Sequence, residues 1–296
     1  MAHCTTYGIL ARDGRSVAVL RRGPTRRVLL LRWWLGSDEI EEGQWLQARV
    51  FGERSDLSLD GTYLLYFAAD YRRSRRIGTY TAVSRVPFFT ALALWPAGDT
   101  WCGGGLFSGP RRIELDHPAS KTSLAPGFAL PKRWHIAQMP PLRARSAGTY
   151  LGDAIERARL LRDGWSVRDG TPQRDAHGTP IALEPPLIYS RGQPSGSVQL
   201  SWLTHGLSRA NGAGGKRSLQ LESARGDLLR RIDDADWADF AANGDLLLGR
   251  GGCLYRLPGM HVGAVAHEPL ADARLVADLG PLTFRPQPPT RDALRW

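Results

Sequence analysis

Short apolar runs broken by turn dipeptides recur along the chain: ILARDGRSVAVL (9–20), LSLDGTYLLYF (57–67), LALWPAGDTWCGG (92–104), ARLLRDGWSV (158–167) and WADFAANGDLLLG (237–249). In each, an apolar segment meets a turn ending in Gly14, Gly61, Gly98, Gly164 or Gly244, after which hydrophobic or β-branched residues resume. Asp-Gly and Asn-Gly favour hairpins because glycine carries no Cβ to penalise positive φ, and Asn and Asp tolerate that region. The pattern predicts five strand–turn–strand units.

Near the C-terminus a longer series is legible: LQLES (219–223), DLLRRI (227–232), DWADFAA (236–242), DLLLGR (245–250) and CLYRLP (253–258). Strands of five or six residues joined by such short turns predict an antiparallel meander, with no room for a parallel crossover. Two proline-rich intervals, 108–147 and 171–197, are expected to leave the sheets, because proline cannot donate to a ladder. The tail PLTFRPQPPTRDALRW is expected to be irregular. In YLGDAIERARLLRDGW, Leu151, Ala154, Ile155, Ala158 and Leu161 also fit a helical face; the repeat favours a strand there, with a short helix before Arg159 as the alternative.

Repeated small antiparallel sheets predict an all-β, β-propeller-like fold of about five or six meander blades, treated as a single domain over 1–296 with the two insertions. Such blades are too small to bury both faces alone and must pack on their neighbours. DLSLDGTYLLYFAADY (56–71) resembles the Ser-Pro-Asp-Gly strand-turn of WD40-like repeats of the TolB type, with Leu59 in place of the proline. WADFAANGDLLLGRGGCLYRL has the same shape, with Asn243 at the turn. The resemblance covers the repeat cores and implies a propeller with a binding role.

Composition changes the picture in two ways. The chain has 296 residues, is 42% hydrophobic and carries net charge +10, and all its basic residues except Lys121, Lys132 and Lys216 are arginine. Two clusters concentrate them: Arg21, Arg22, Arg26 and Arg27, and Arg72, Arg73, Arg75 and Arg76. They form a candidate patch for an anionic partner, with solvated loop arginines as the plain alternative. Second, Cys4, Cys102 and Cys253 are few, odd in number and far apart, which argues against a disulfide framework. No apolar run nears the ~20 residues that span a bilayer, and no basic-then-apolar leader opens the chain, so a cytoplasmic location is expected and no membrane partner.

Familiar chemistries fail on spacing. In WPAGDTWCGGGLF (95–107), Gly104 stands where a P-loop needs lysine, and Ser108 stands where a dinucleotide fingerprint needs its third glycine; the run is read as a turn. NGAGGKRS (211–218) has Ala210 and Arg217 at the two decisive P-loop positions and is read as a loop. GLSRA (206–210) lacks the last glycine of a nucleophile elbow around Ser208. Cys102 and Cys253 are read as inert thiols in apolar strands. DDADWAD (233–239) is read as a turn whose acids are solvated or paired with Arg230 and Arg231, and SDEIEE (37–42) as a solvated loop that could neutralise nearby arginines. No spacing calls for a metal or a cofactor.

Arg85 is the one charged residue from Ile77 through Gly98. It reaches solvent beside Pro87, pairs with a carboxylate, or lines a ligand pocket with Asp99 and Trp101. Trp95 is expected in the core, and the RWW run (32–34) between sheets. The leading expectation is a non-catalytic interaction or ligand-sensing module binding a protein or a small anionic ligand. A hydrolase or lyase with a site assembled from several blades, and a nucleic-acid binder acting through the arginine clusters, are the alternatives. The last requires both clusters on one continuous face.

Overall fold

A computed structural model describes residues 4–23, 26–72, 76–140, 153–178, 180–194, 196–207, 215–263 and 272–296. The protein is all-β, with 50% of the described residues in strands, 7% in helix, and several antiparallel sheets. Its contacts divide it into two compact units: Met1–Pro141 with Gly251–Cys253 and Ala277–Trp296, and Leu142–Arg250 with Leu254–Val276.

The first unit opens with β1 (Thr5–Leu10), β2 (Ser16–Arg22), β3 (Val28–Trp34) and β4 (Glu39–Leu46), antiparallel and in chain order. The next sheet repeats this with β5 (Arg49–Leu57), β6 (Tyr63–Ala69), β7 (Thr79–Arg85) and β8 (Ala91–Pro96). A third holds β9 (Gly105–Gly109), β10 (Arg112–Leu115) and β11 (His135–Gln138), with β10 and β11 parallel. Central strands β2 and β3 are buried on both faces for most of their length, which explains their unbroken apolar sequence. β4 is an edge strand, and its Glu39, Glu41 and Glu42 discourage pairing with another chain. Alternate residues of β6 enter different cores. Leu64, Tyr66 and Ala68 join Ile9, Leu20 and Leu30, while Leu65 joins Trp95, Phe107 and Ile113. The β5–β8 sheet is therefore packed on both faces, and β5 contacts both β1 and β9.

The second unit begins with α1 (Ala154–Arg162), followed by β12 (Ser166–Arg168), β13 (Pro172–Arg174), β14 (Pro180–Leu183), β15 (Leu187–Gly192), β16 (Val198–Leu207), β17 (Gly215–Ser223) and β18 (Leu228–Ile232). These make a sheet ordered β12-β15-β16-β17-β18 and a separate β13-β14 pair. A further sheet, largely in this unit, runs β19 (Ala235–Phe240), β20 (Leu246–Arg250), β21 (Cys253–Leu257) and β22 (Arg274–Asp278), with a short α2 (Gly259–Val262) after β21.

The SLDG turn works without proline. Ser58 donates its hydroxyl to Asp60 at 2.7 Å and accepts the Tyr63 N–H, while Asp60 accepts the N–H and hydroxyl of Thr62. Side-chain bonds thus fix the turn that the pyrrolidine ring would otherwise preset. At the second repeat Asn243 accepts the Asp245 N–H in the same position.

Several sequence expectations are corrected. Residues 154–162 are helix, not strand. Asp153 caps α1 by accepting the Ile155 N–H, and Gly164, at φ 88°, ends it as the Trp165 N–H reaches back to the Leu160 carbonyl. Gly98 lies in the connection between β8 and β9, strands of different sheets, so it makes no hairpin. The interval 108–147 contributes β10 and β11, and 171–197 contributes the well-paired β15, because their prolines flank these strands. SDEIEE runs into the edge strand β4. β17 and β18 belong to a different sheet from β19–β22, so the C-terminal series is two sheets. Leu151 lies outside the described residues. Among those described, no helix is long and apolar enough to cross a membrane.

Candidate anion-binding site

Antiparallel register determines which loops meet in the first unit. Arg22 pairs with Val28 and Val28 with Leu46, so residues 22–23 and 26–28 emerge at the end of the first sheet where the chain turns through Gln47 and Ala48 into β5. Arg49 pairs with Ala69, and Ala69 with Thr79, so residues 70–72 and 76–78 emerge at that same end of the second sheet. There Arg26, Arg27, Gln47, Ala48, Ala69, Asp70, Tyr71 and Arg72 line a pocket of about 190 Å3.

Arginines from clusters some forty-five residues apart thus share one concavity. Arg72 grips Asp70 with Nε at 2.8 Å and Nη2 at 2.5 Å, and donates Nη1 to the Gln47 side chain at 2.6 Å. This hydrogen bonding to Asp70 raises the Arg72 pKa above its ordinary value. Arg27 stacks on Phe284 at 4.5 Å. Arg26 has no hydrogen bond or ion pair among the described residues and is exposed, as are Arg22 and Arg76. One carboxylate, already satisfied by Arg72, therefore faces a surplus of guanidinium charge.

Not every predicted arginine joins this site. Arg21 is buried, donates to the Leu279 and Gly280 carbonyls at 3.1 and 3.2 Å, and stacks over Trp45. It is a structural tie, because adjacent residues of a strand point to opposite faces and Arg22 takes the outward one. Arg73 and Arg75 lie outside the described residues. Tyr71, Gln47 and Asp70 were not singled out from the sequence, although Asp70 and Tyr71 sit directly before the second cluster.

The expected trio of Arg85, Asp99 and Trp101 is split. Tyr80 pairs with Pro96, so Asp99 and Trp101 follow β8 at the end where β7 begins, whereas Arg85 terminates β7. Six residues of strand put about 20 Å between those ends. Arg85 donates to the Tyr63 hydroxyl at 3.2 Å and to the Arg295 carbonyl at 3.3 Å, and lies over the Tyr63 ring. Its partners are a phenol and a backbone carbonyl.

Asp99 and Trp101 emerge instead at the arginine-bearing end. Asp99 accepts the Trp101 N–H at 3.0 Å and the Lys121 ammonium at 3.1 Å. Burial opposes its charge, but Lys121 and the neighbouring N–H groups outweigh that and hold the carboxyl below its ordinary range. Trp101 itself is 80% exposed. Cys102 is buried in this loop, not in a strand, and burial together with Asp99 pushes its thiol up, which disfavours a thiolate. None of the three cysteines forms a disulfide. The buried His117 accepts the Thr81 hydroxyl at 2.8 Å while Thr81 accepts the Gly104 N–H; burial lowers the His117 pKa, and its other ring nitrogen meets the Lys121 carbonyl. This is a satisfied neutral imidazole.

The glycine run cradles no anion. A Cβ on Gly103 would stand 2.2 Å from the Phe67 ring, at a φ of 118°, so glycine is required for close packing. Gly103→Ala is expected to cost about 2 kcal/mol in urea denaturation, since Phe67 must leave a fully buried position; an unchanged midpoint would contradict this packing role.

In the second unit, Asp239 pairs with Arg191 at 2.6 Å, while the nearest Asp234–arginine approach is Arg250 at 3.9 Å, so these acids find partners other than Arg231. Ser208 and residues 211–214 lie outside the described residues, and 215–218, read as loop, begin β17. Trp95 and Trp33 are fully buried. Compared with known proteins, the chain matches no family model and no curated protein.

Proposed function

We propose that this chain is a non-catalytic binding module of propeller type that takes an anionic ligand at the arginine-lined end of its first unit. The observation that carries the reading is the convergence of Arg26, Arg27 and Arg72 on one pocket from loops of two sheets. A guanidinium offers a planar fork of donors that matches an oxyanion, and Arg26 has its fork available. Support for the propeller comes from the chain-ordered meanders β1–β4 and β5–β8 and from the two-sided packing of the second.

Inorganic tripolyphosphate, titrated calorimetrically at low salt, is the probe. Arg26→Ala/Arg27→Ala is expected to weaken binding at least about tenfold, with the affinity falling as salt rises. Arg72→Ala is expected to exceed either single alanine at 26 or 27, because it removes a cation and also bares the Asp70 carboxylate to the ligand. Absence of binding by the wild type, or equal binding by the double variant, would refute the site.

A further inference from the structure

Two aromatic side chains stand out at the same end of the unit. Tyr71 is 59% exposed and lines the arginine pocket, and Trp101 is 80% exposed on the loop after β8. The strand ends from which they spring, β6 and β8, lie two strand spacings apart, about 10 Å. The described residues beside each ring are tied down. The Asp70 N–H donates to the Gly78 carbonyl at 2.6 Å and Arg72 clamps the Asp70 carboxylate. Around Trp101, Lys121 donates to Asp99 and to the Ala97 carbonyl, and Arg54 donates to the Thr100 carbonyl at 2.8 Å. An indole in water on a pinned loop is a surface prepared before any ligand arrives.

Resting on the anion-binding reading, we propose that the ligand is a single-stranded nucleic acid whose phosphates meet Arg26, Arg27 and Arg72 and whose bases stack on Tyr71 and Trp101. Single strands are held by cations that track the backbone and by isolated aromatic faces that accept any base. A protein interface would surround such rings with apolar neighbours. Here no exposed leucine, isoleucine or methionine accompanies them among the described residues of that end, where Arg22, Arg26, Arg27, Arg72 and Arg76 are exposed and Asp99 is paired with Lys121. A duplex is disfavoured because the described residues of these loops offer no helix or strand ribbon to enter a groove.

The test is fluorescence anisotropy of the purified full chain with labelled oligothymidylate of about 12 nucleotides, competed by the same length of duplex and by polyglutamate. Tyr71→Ala and Trp101→Ala are each expected to weaken binding about tenfold or more without changing its salt dependence, and Tyr71→Phe to bind as wild type. Arg26→Ala/Arg27→Ala is expected to lower the slope of log affinity against log salt by about 1.4, from two lost phosphate contacts. If duplex or polyglutamate competes as well as the oligonucleotide, or if both aromatic variants bind normally, the nucleic-acid inference is wrong and the anion site stands. If tripolyphosphate also fails to bind, both are wrong.

Discussion

Arg217→Met is expected to destabilise the protein by about 3–5 kcal/mol, the usual consequence of stripping one partner from a buried ion pair. Glu156 is wholly inaccessible to solvent, yet it sits in the first turn of α1, beside the buried Ile155, Arg159 and Leu160. Asp153 starts the helix so that this mixed face turns inward, and the Glu156 carboxylate meets both terminal nitrogens of Arg217 from β17, Nη1 at 3.0 Å and Nη2 closer still. Arg217 also lies 5.6 Å from the Trp202 ring, which is itself packed edge-on against Trp165. Methionine retains the volume of the stem but withdraws both charged bonds from a carboxylate that water does not reach. Glu156→Gln/Arg217→Met should recover more than half of the loss, because neither residue then carries a charge into the interior. Urea denaturation of the two single variants and the double variant measures the coupling; strictly additive losses, or a loss below about 1 kcal/mol for Arg217→Met, would show that the pair is not what holds α1 to its sheet.

How much of this was legible beforehand depended on whether a signal was local. The turns at Gly14, Gly61 and Gly244 were readable because the dipeptide and its flanking strands lie within a dozen residues. The identical Asp-Gly at 163–164 closes a helix instead, since a glycine that favours positive φ serves a helix end as well as a hairpin. Nothing in the dipeptide separates the two, and the helical spacing of Ala154, Ile155, Ala158 and Leu161 was the better guide to the element, although the face that α1 buries is Ile155, Glu156, Arg159 and Leu160. The acidic Glu39–Glu42 run looked like a loop because edge strands carry charge for a reason that is visible only once neighbours are placed.

The candidate site was legible in its parts and not in its assembly. Both arginine clusters, Asp99 and Trp101 were read from the sequence, but they were grouped wrongly. Arg85 and Asp99 are separated by only fourteen positions, yet they occupy opposite ends of the β7–β8 hairpin, because its turn falls immediately after Arg85. Conversely, Arg26 and Arg72 meet because two sheets each return their strands to the same end, a relation carried by strand register and sheet packing. Arg21 and Arg22 show the finest grain of this limit: the pleat of one strand sends the first into the interior and the second into solvent.

Asp239 supplies the second large expected effect, and its sign runs against ordinary acid denaturation. The carboxyl is buried, and that burial raises its pKa to about 6 even though Arg191 pulls it down and the Phe240 N–H donates to it; the nearby Asp163 charge adds to the rise. Asp163 is itself paired with Arg162, so the charges facing Asp239 come from β15 and the C-terminal end of α1. A carboxyl with a pKa of about 6 in the folded chain and about 3.8 unfolded binds a proton preferentially when folded. Its contribution to stability is therefore fully present below pH ~3.8 and is lost as pH rises through ~6, a change of about 3 kcal/mol at about 1.4 kcal/mol per pKa unit. Asp239→Asn keeps the shape and removes the titration. The stability of the wild type relative to this variant should rise by about 3 kcal/mol between pH 7.5 and pH 3.5, and should be flat above pH ~7. Comparing urea midpoints and slopes of the two proteins across that range isolates the group from every other carboxylate, since all the others titrate in both. Parallel stability profiles would mean that Asp239 titrates alike in the folded and unfolded chain, with Arg191 compensating its burial in full; a profile of the opposite slope would mean that the ion pair dominates and that the carboxyl sits below its ordinary range.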